Sequence, residues 1–191
     1  MLHNKYFEIM KEFLKDYNRH IYGRELVKRV SLSQKNIALT LDELEDENIL
    51  KSVNKGNIRN YSLNFLNPIL TENLLYFESL RKLEFLEQNK KLIDFSREIE
   101  GDIVCVFGSY AKKKQNKNSD LDLFVVGSID SLKIKRIAEK YGLDVQIFNV
   151  SFKGFIDSIK DKKEIFTEVL KNHVILKGTE SFVKEVLKWL N

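Results

Sequence analysis

Two aspartates at 120 and 122, a third at 144, and a Gly-Ser pair at 108–109 are the residues whose types and spacing could do chemistry. Asp120 and Asp122 bracket the start of Leu121–Val126, an apolar run that reads as a strand. Side chains at i and i+2 on a strand leave the same face. Two carboxylates side by side repel each other unless a cation lies between them, and hard oxygen ligands suit Mg²⁺. Asp144 opens another apolar run. Mg²⁺ takes about six oxygens, so two carboxylates and nucleotide oxygens leave room for a third carboxylate. Such a set is suited to two-metal phosphoryl chemistry, in which one ion activates an attacking hydroxyl and the other steadies the leaving pyrophosphate.

Gly108-Ser109 follows Asp102–Phe107, a β-branched, apolar run typical of a buried strand. A strand running through Gly-Ser into a helix leaves backbone N–H groups free at the helix start, where the dipole also favours a phosphate. Glycine permits close approach of a triphosphate, and serine adds a hydroxyl donor. Lys112, Lys113, Lys114 and Lys117 lie beside this turn. They read either as a solvated loop or as an attraction for a triphosphate or an acidic partner. Tyr110 reads as packing or as a base-stacking ring, and Cys105, in mid-strand, as core.

These residues need a scaffold, and the remaining pattern supplies one. Ser131–Lys140 reads as helix, Leu143–Val150 as strand, Phe152–Lys171 as helix, His173–Leu176 as a short strand and Ser181–Leu190 as a closing helix. Upstream, Leu74, Leu75, Phe77, Leu80, Leu83, Leu86, Leu92 and Phe95 recur at helix-like spacing after Asn67-Pro68. Residues 68–100 are therefore expected to form one long or two consecutive helices, serving either as a scaffold or as a homodimer surface.

Residues 1–67 read as three helices followed by a hairpin. Tyr6, Phe7, Ile9, Met10, Phe13 and Leu14 mark the first helix and Arg24–Val30 the second. Ser31 or Ser33 can cap the third, whose apolar face is Ile37, Leu41 and Leu44. Lys55-Gly56-Asn57 turns the hairpin.

The bulk composition sets limits. The 191 residues suit one large or two small domains, and 43% hydrophobic residues are enough for a core. A net charge of +4 is too weak to argue for nucleic acid. One cysteine rules out an intrachain disulfide. No run approaches a membrane span, and the start lacks the apolar stretch of a signal peptide, so a soluble, cytoplasmic protein is expected. The three histidines, His3, His20 and His173, lack ligand-like spacing and read as surface or boundary residues.

The string GSYAKKKQNKNSDLDLFVV resembles the signature of polymerase-β-type nucleotidyltransferases of the minimal, antitoxin-like kind, and LDVQIF resembles the strand bearing their third carboxylate. The resemblance implies that Gly108 and Ser109 bind the β- and γ-phosphates. It further implies that Ser119 orients the Asp loop, that Asp120 and Asp122 hold two Mg²⁺ ions, and that Asp144 ligates the catalytic ion and helps deprotonate the acceptor. ATP would be the donor. Small members of this family include antitoxins that adenylylate a partner HEPN-type toxin, so a protein acceptor is expected. Many relatives have glycine where this chain has Lys113; if that site is left-handed, lysine costs roughly 1–2 kcal/mol.

The stretch SLSQKNIALTLDELEDENILKSVNKGNIRNYSLN resembles a winged helix-turn-helix, which implies a domain able to bind double-stranded DNA. Ser33, Gln34, Lys35 and Asn36 would face the groove, and Lys55 and Arg59 would meet phosphates. Asp42, Glu43, Glu45, Asp46 and Glu47 oppose this, since they would repel phosphates. The chain is thus expected to be α+β: a winged helix-turn-helix over 1–67, a helical linker over 68–100 and a nucleotidyltransferase-fold α/β domain with a small mixed sheet over 101–191. The alternative is a DNA-binding regulator whose second domain senses nucleotide or holds a partner without turnover.

Overall fold

The computed structural model describes residues 5–116 and 119–190, and Lys117 and His3 lie outside them. The chain divides into two compact units, one running to Phe77 and the other Glu78–Trp189.

The first unit is built from α1 (Lys5–Leu14), β1 (Ile21–Tyr22), α2 (Gly23–Leu26), α3 (Gln34–Asp46), β2 (Leu50–Lys55) and β3 (Ile58–Leu63). Phe7, Ile9, Met10, Phe13 and Leu14 of α1 and Ile37, Leu41 and Leu44 of α3 are buried, as the spacing of apolar residues predicts. Ser33 caps α3 by accepting from the Asn36 N–H at 3.2 Å. The strands form an antiparallel sheet in the order β1-β3-β2. Lys55 pairs with Ile58, which leaves Gly56 and Asn57 as a two-residue turn with Gly56 at φ 61. The α2 helix is shorter than expected and is preceded by a strand that the sequence pattern did not reveal.

Helix α4 (Leu70–Gln88) crosses the division, and α5 (Lys91–Glu98) follows. Of the apolar series expected here, Leu74, Phe77, Leu92 and Phe95 are buried, but Leu83 is exposed.

The second unit continues with β4 (Ile103–Val106), α6 (Gly108–Ala111), β5 (Leu121–Val126), α7 (Ser131–Lys140), β6 (Val145–Val150), α8 (Phe152–Lys160), α9 (Glu164–Lys171), β7 (Val174–Lys177) and α10 (Thr179–Leu190). Its sheet has the order β6-β5-β4-β7. β5 and β6 are parallel, and β4 is antiparallel to both β5 and β7. The sheet is therefore small and mixed, as expected.

Alternation sorts the side chains of this sheet into two sets. Val104, Val106, Leu121, Leu123 and Val125 join Phe85, Leu92, Phe95, Ile134 and Ala138 in one cluster. On the other face Phe124 meets Phe155 and Phe166, and Phe182 joins them, with ring centroids 5.5 to 6.4 Å apart. Burying a phenylalanine contributes roughly 1.5–3 kcal/mol, so this aromatic cluster anchors α8, α9 and α10 to the sheet.

Two expectations are corrected here. Phe152–Lys171 is two helices, because Lys162 adopts φ 49 and the chain turns between them. Nothing in the sequence around Lys162 marks this turn. His173 is not a surface residue; it is fully buried. One ring nitrogen lies 3.2 Å from Glu78 Oε1 and the other 3.1 Å from the Val169 carbonyl. A buried histidine needs such partners, and its carboxylate partner lies 95 residues away in the chain.

Candidate active site

The carboxylates stand where β5 and β6 begin. Asp120 directly precedes β5, Asp122 lies on it, and Asp144 directly precedes β6. The parallel ladder sets their mutual placement: Leu121 pairs with Val145 and Asp122 with Gln146, and the Leu121 N–H donates to the Asp144 carbonyl at 2.8 Å. Asp120 is thus level with Asp144, and Asp122 with Gln146. By alternation all four side chains belong to one face. Asp120, Asp144 and Gln146 are exposed and Asp122 is half-buried.

Burial, and then the neighbouring Asp120 charge, push the Asp122 carboxyl above its ordinary value, while Lys112 acts the other way. Lys112 itself is paired with Glu168. Among the described residues, none of the three aspartates forms a salt bridge.

Asp122 also packs against the turn that follows β4. Gly108 has φ 65, and a Cβ placed there would overlap the Asp122 carboxylate oxygen and stand 3.0 Å from its carboxyl carbon. Glycine suits the position on both counts, since it adopts this backbone angle without strain and lets the Asp122 carboxylate come close. Helix α6 then runs for a single turn. So short a helix has little macrodipole, and any anion affinity rests on its first N–H groups, which have no intrahelical partner. This corrects the expectation of help from a helix dipole. Ser109 lies in that turn and is half-buried.

Ser119 accepts from the Asn116 N–H at 2.9 Å, and its own N–H donates to the Asn116 carbonyl at 3.1 Å. The reciprocal pair fixes the loop that delivers Asp120. Lys113 adopts φ 55, the left-handed backbone for which glycine would be the easy choice. Its amine lies 3.5 Å from Glu84. Cys105 is fully buried, and burial drives its thiol well above the ordinary value, so it is core and not a nucleophile. Tyr110 packs against the apolar cluster.

The residues fit a divalent cation in their chemistry: two carboxylates on one strand face, one raised in pKa by burial and by the other, with a third on the next strand level with Asp120. Among the described residues, no three His, Cys, Asp or Glu side chains are drawn together tightly enough to enclose an ion. The sequence reading missed Gln146, which the register alone puts beside Asp122. It also missed the Phe107–Phe148 ring pair, 5.5 Å between centroids, at the same sheet end.

In the first unit, Gln34, Lys35 and Asn36 form the exposed first turn of α3 after Ser33, and Lys55 is exposed beside the hairpin turn. Arg59 is not free for phosphates. It donates to Asp42 at 2.7 Å and to Ser52 Oγ at 2.9 Å, pairs with Glu45, and lies over the Tyr61 ring.

Among the described residues, no helix is long and apolar enough to cross a membrane. The family described as "Nucleotidyltransferase domain" matches residues 86–186, more than half of the chain. The chain is 28% identical over 141 residues to an ATP-dependent helicase/deoxyribonuclease component of Alkaliphilus metalliredigens (strain QYMF). That alignment covers 65% of this chain and only 12% of the longer protein. A solved structure, "Crystal structure of the toxin-antitoxin with AMP-PNP", overlaps 53% of this chain and 82% of its own, at 22% identity and a TM-score of 0.35.

Proposed function

Because the chain belongs to the nucleotidyltransferase domain family, we propose that it moves a nucleoside monophosphate, AMP from ATP, onto an acceptor hydroxyl carried by a partner protein of the HEPN-type toxin class. The observation that carries this reading is the Asp120–Asp122 pair: two carboxylates on one strand face, one of them pressed against Gly108, with no cationic side chain paired to either among the described residues. Leaving such a pair uncompensated is costly unless a ligand completes it.

In this reading Asp120, Asp122 and Asp144 hold Mg²⁺, and Gly108 and Ser109 take the terminal phosphates through their N–H and hydroxyl groups. Ser119 keeps Asp120 in place. Mg²⁺ supplies, when bound, charge neutralisation and a more acidic acceptor hydroxyl. Asp144, exposed just before β6, receives the acceptor proton. Incubation with ATP labelled at the α-phosphate, Mg²⁺ and candidate partners tests the reading. Label on a partner hydroxyl that disappears in Asp122→Asn supports it. Equal labelling by wild type and Asp122→Asn refutes it.

A second, compatible reading belongs to the first unit. Its element order, helix, short strand, two helices and a hairpin, together with the exposed turn Gln34–Asn36, supports a winged helix-turn-helix that binds double-stranded DNA. Lys35 and Lys55 are its phosphate contacts, and Arg59 serves to brace the hairpin on α3. A salt-dependent mobility shift that is lost in Lys35→Ala with Lys55→Ala supports DNA binding; a shift that survives both changes excludes this surface.

A further inference from the structure

The two edges of the four-stranded sheet are built differently. At one end β7 is tied to a helix: Val174, Ile175 and Leu176 are buried, and the ladder to β4 shifts register at Leu176. The Leu176 carbonyl accepts from Lys82 Nζ on α4 at 2.6 Å. A helix side chain thus satisfies a carbonyl at the place where the ladder is irregular, and this is one way proteins protect a sheet edge.

At the other end β6 is open. The parallel ladder fixes which of its backbone groups point where. The Leu121 N–H bonds to the Asp144 carbonyl and the Gly127 N–H to the Val150 carbonyl. Backbone groups at 144, 146, 148 and 150 therefore turn toward β5, and those of Val145, Ile147 and Asn149 turn outward. Among the described residues no strand pairs with that outer side. Gln146 and Asn149 are exposed, and the other residues of β6 are only half-buried. The edge is six residues long, regular and without a proline.

Resting on the reading of the site as a nucleotidyltransferase, we propose that β6 is the acceptor-binding edge: an extended segment of the acceptor polypeptide adds beside it as a fifth strand. A strand added there lies about 4.8 Å from β6. Its alternate side chains fall on the face that carries Asp120, Asp122, Asp144 and Gln146. A serine, threonine or tyrosine level with Asp144 then presents its hydroxyl to that carboxylate. In the transfer the hydroxyl oxygen forms the bond to the α-phosphorus and its proton passes to Asp144. The bond from the α-phosphorus to the bridging oxygen breaks, and pyrophosphate leaves with that electron pair. The acceptor is held by main-chain hydrogen bonds and selected by its extended conformation more than by its sequence.

Two measurements with the full chain test this. The first compares Ile147→Pro with Ile147→Ala. Both lose the isoleucine side chain, but only proline deletes the outward N–H, at a position where the ladder to β5 does not use it. With reduced, dephosphorylated casein as an extended, hydroxyl-rich probe and α-labelled ATP, Ile147→Pro should transfer at least ~10-fold less label than Ile147→Ala, the loss of more than about 1.4 kcal/mol of binding. The second needs no variant and so holds even if the proline chain fails to fold. A valine-rich hexapeptide centred on tyrosine should accept label from wild type, and the same peptide N-methylated at alternate residues should not. Equal labelling of the two peptides, or equal transfer by the proline and alanine chains, overturns the proposal. Calorimetry of wild type with Mg²⁺ and ATP runs alongside. No nucleotide binding refutes the transferase reading itself, whereas binding with indifference to N-methylation refutes only the edge.

Discussion

Two acidic regions of this molecule have opposite solutions to the same electrostatic problem. On α3, Asp42 and Glu45 are both met by Arg59, which also bonds Ser52 and lies over Tyr61. At the start of β5, Asp120 and Asp122 have each other and little else. The cation that lowers the Asp122 value, Lys112, is paired with Glu168. The first arrangement is complete as it stands and bolts a hairpin to a helix. The second is incomplete and leaves negative charge beside a turn of Gly108 and Ser109. The lesson is that acidic content alone identifies nothing; what separates a brace from a candidate site is whether the chain supplies the counter-charge.

The largest expected effect comes from removing the unpaired charges. Asp120→Asn or Asp122→Asn should lower the rate of label transfer by roughly 10²–10³-fold, since a cation at a phosphoryl oxygen contributes several kcal/mol to the transition state. Single-turnover measurement with α-labelled ATP checks this, and Asp42→Asn under the same conditions should leave the rate within about twofold. Equal losses in both regions would erase the distinction drawn between them.

Next in size is Gly108→Ala. The added Cβ meets the Asp122 carboxylate at a backbone angle suited to glycine. A cost of about 1–3 kcal/mol in stability is expected, visible in urea unfolding, with loss of transfer as Asp122 is displaced.

A smaller effect runs with pH. The folded-state value of Asp122 is raised above its unfolded one, so the folded protein holds the proton more tightly. Stability without metal therefore falls as pH climbs from the ordinary carboxylate value through the elevated one, and stays lower above it. Asp122→Asn removes this loss. Thermal unfolding in chelator should show the variant more stable than wild type at neutral pH, with the gap closing at acid pH. The smallest effect belongs to the completed brace: Arg59→Ala breaks half-exposed pairs and should cost about 0.5–1 kcal/mol, measured by urea unfolding at low and high salt.

The placement of the candidate carboxylates at the head of a strand was legible in the sequence because it is local. Asp120-Leu121-Asp122 sits at the head of an apolar run whose limits, Leu121–Val126, match β5 residue for residue. The same holds for Ser131–Lys140 and α7. The sequence reading raised a left-handed backbone at Lys113 only as a condition, and its φ of 55 meets that condition. What escaped depends on distance along the chain. Arg59 meets Asp42 and Glu45 only once the hairpin folds onto α3. His173 is satisfied by Glu78 from a remote helix, and Gln146 joins the carboxylates only through the β5–β6 register. The break at Lys162 escaped for a different reason: it uses neither glycine nor proline, so composition leaves no mark.

The most direct test of the account is calorimetric titration of Mn²⁺, standing in for Mg²⁺, with a non-hydrolysable ATP analogue present. Wild type and Asp42→Asn should bind the ion alike, while Asp122→Asn should bind at least ~10-fold more weakly. Indistinguishable binding by all three chains would contradict the claim that the carboxylates at the head of β5 are kept uncompensated for a cation.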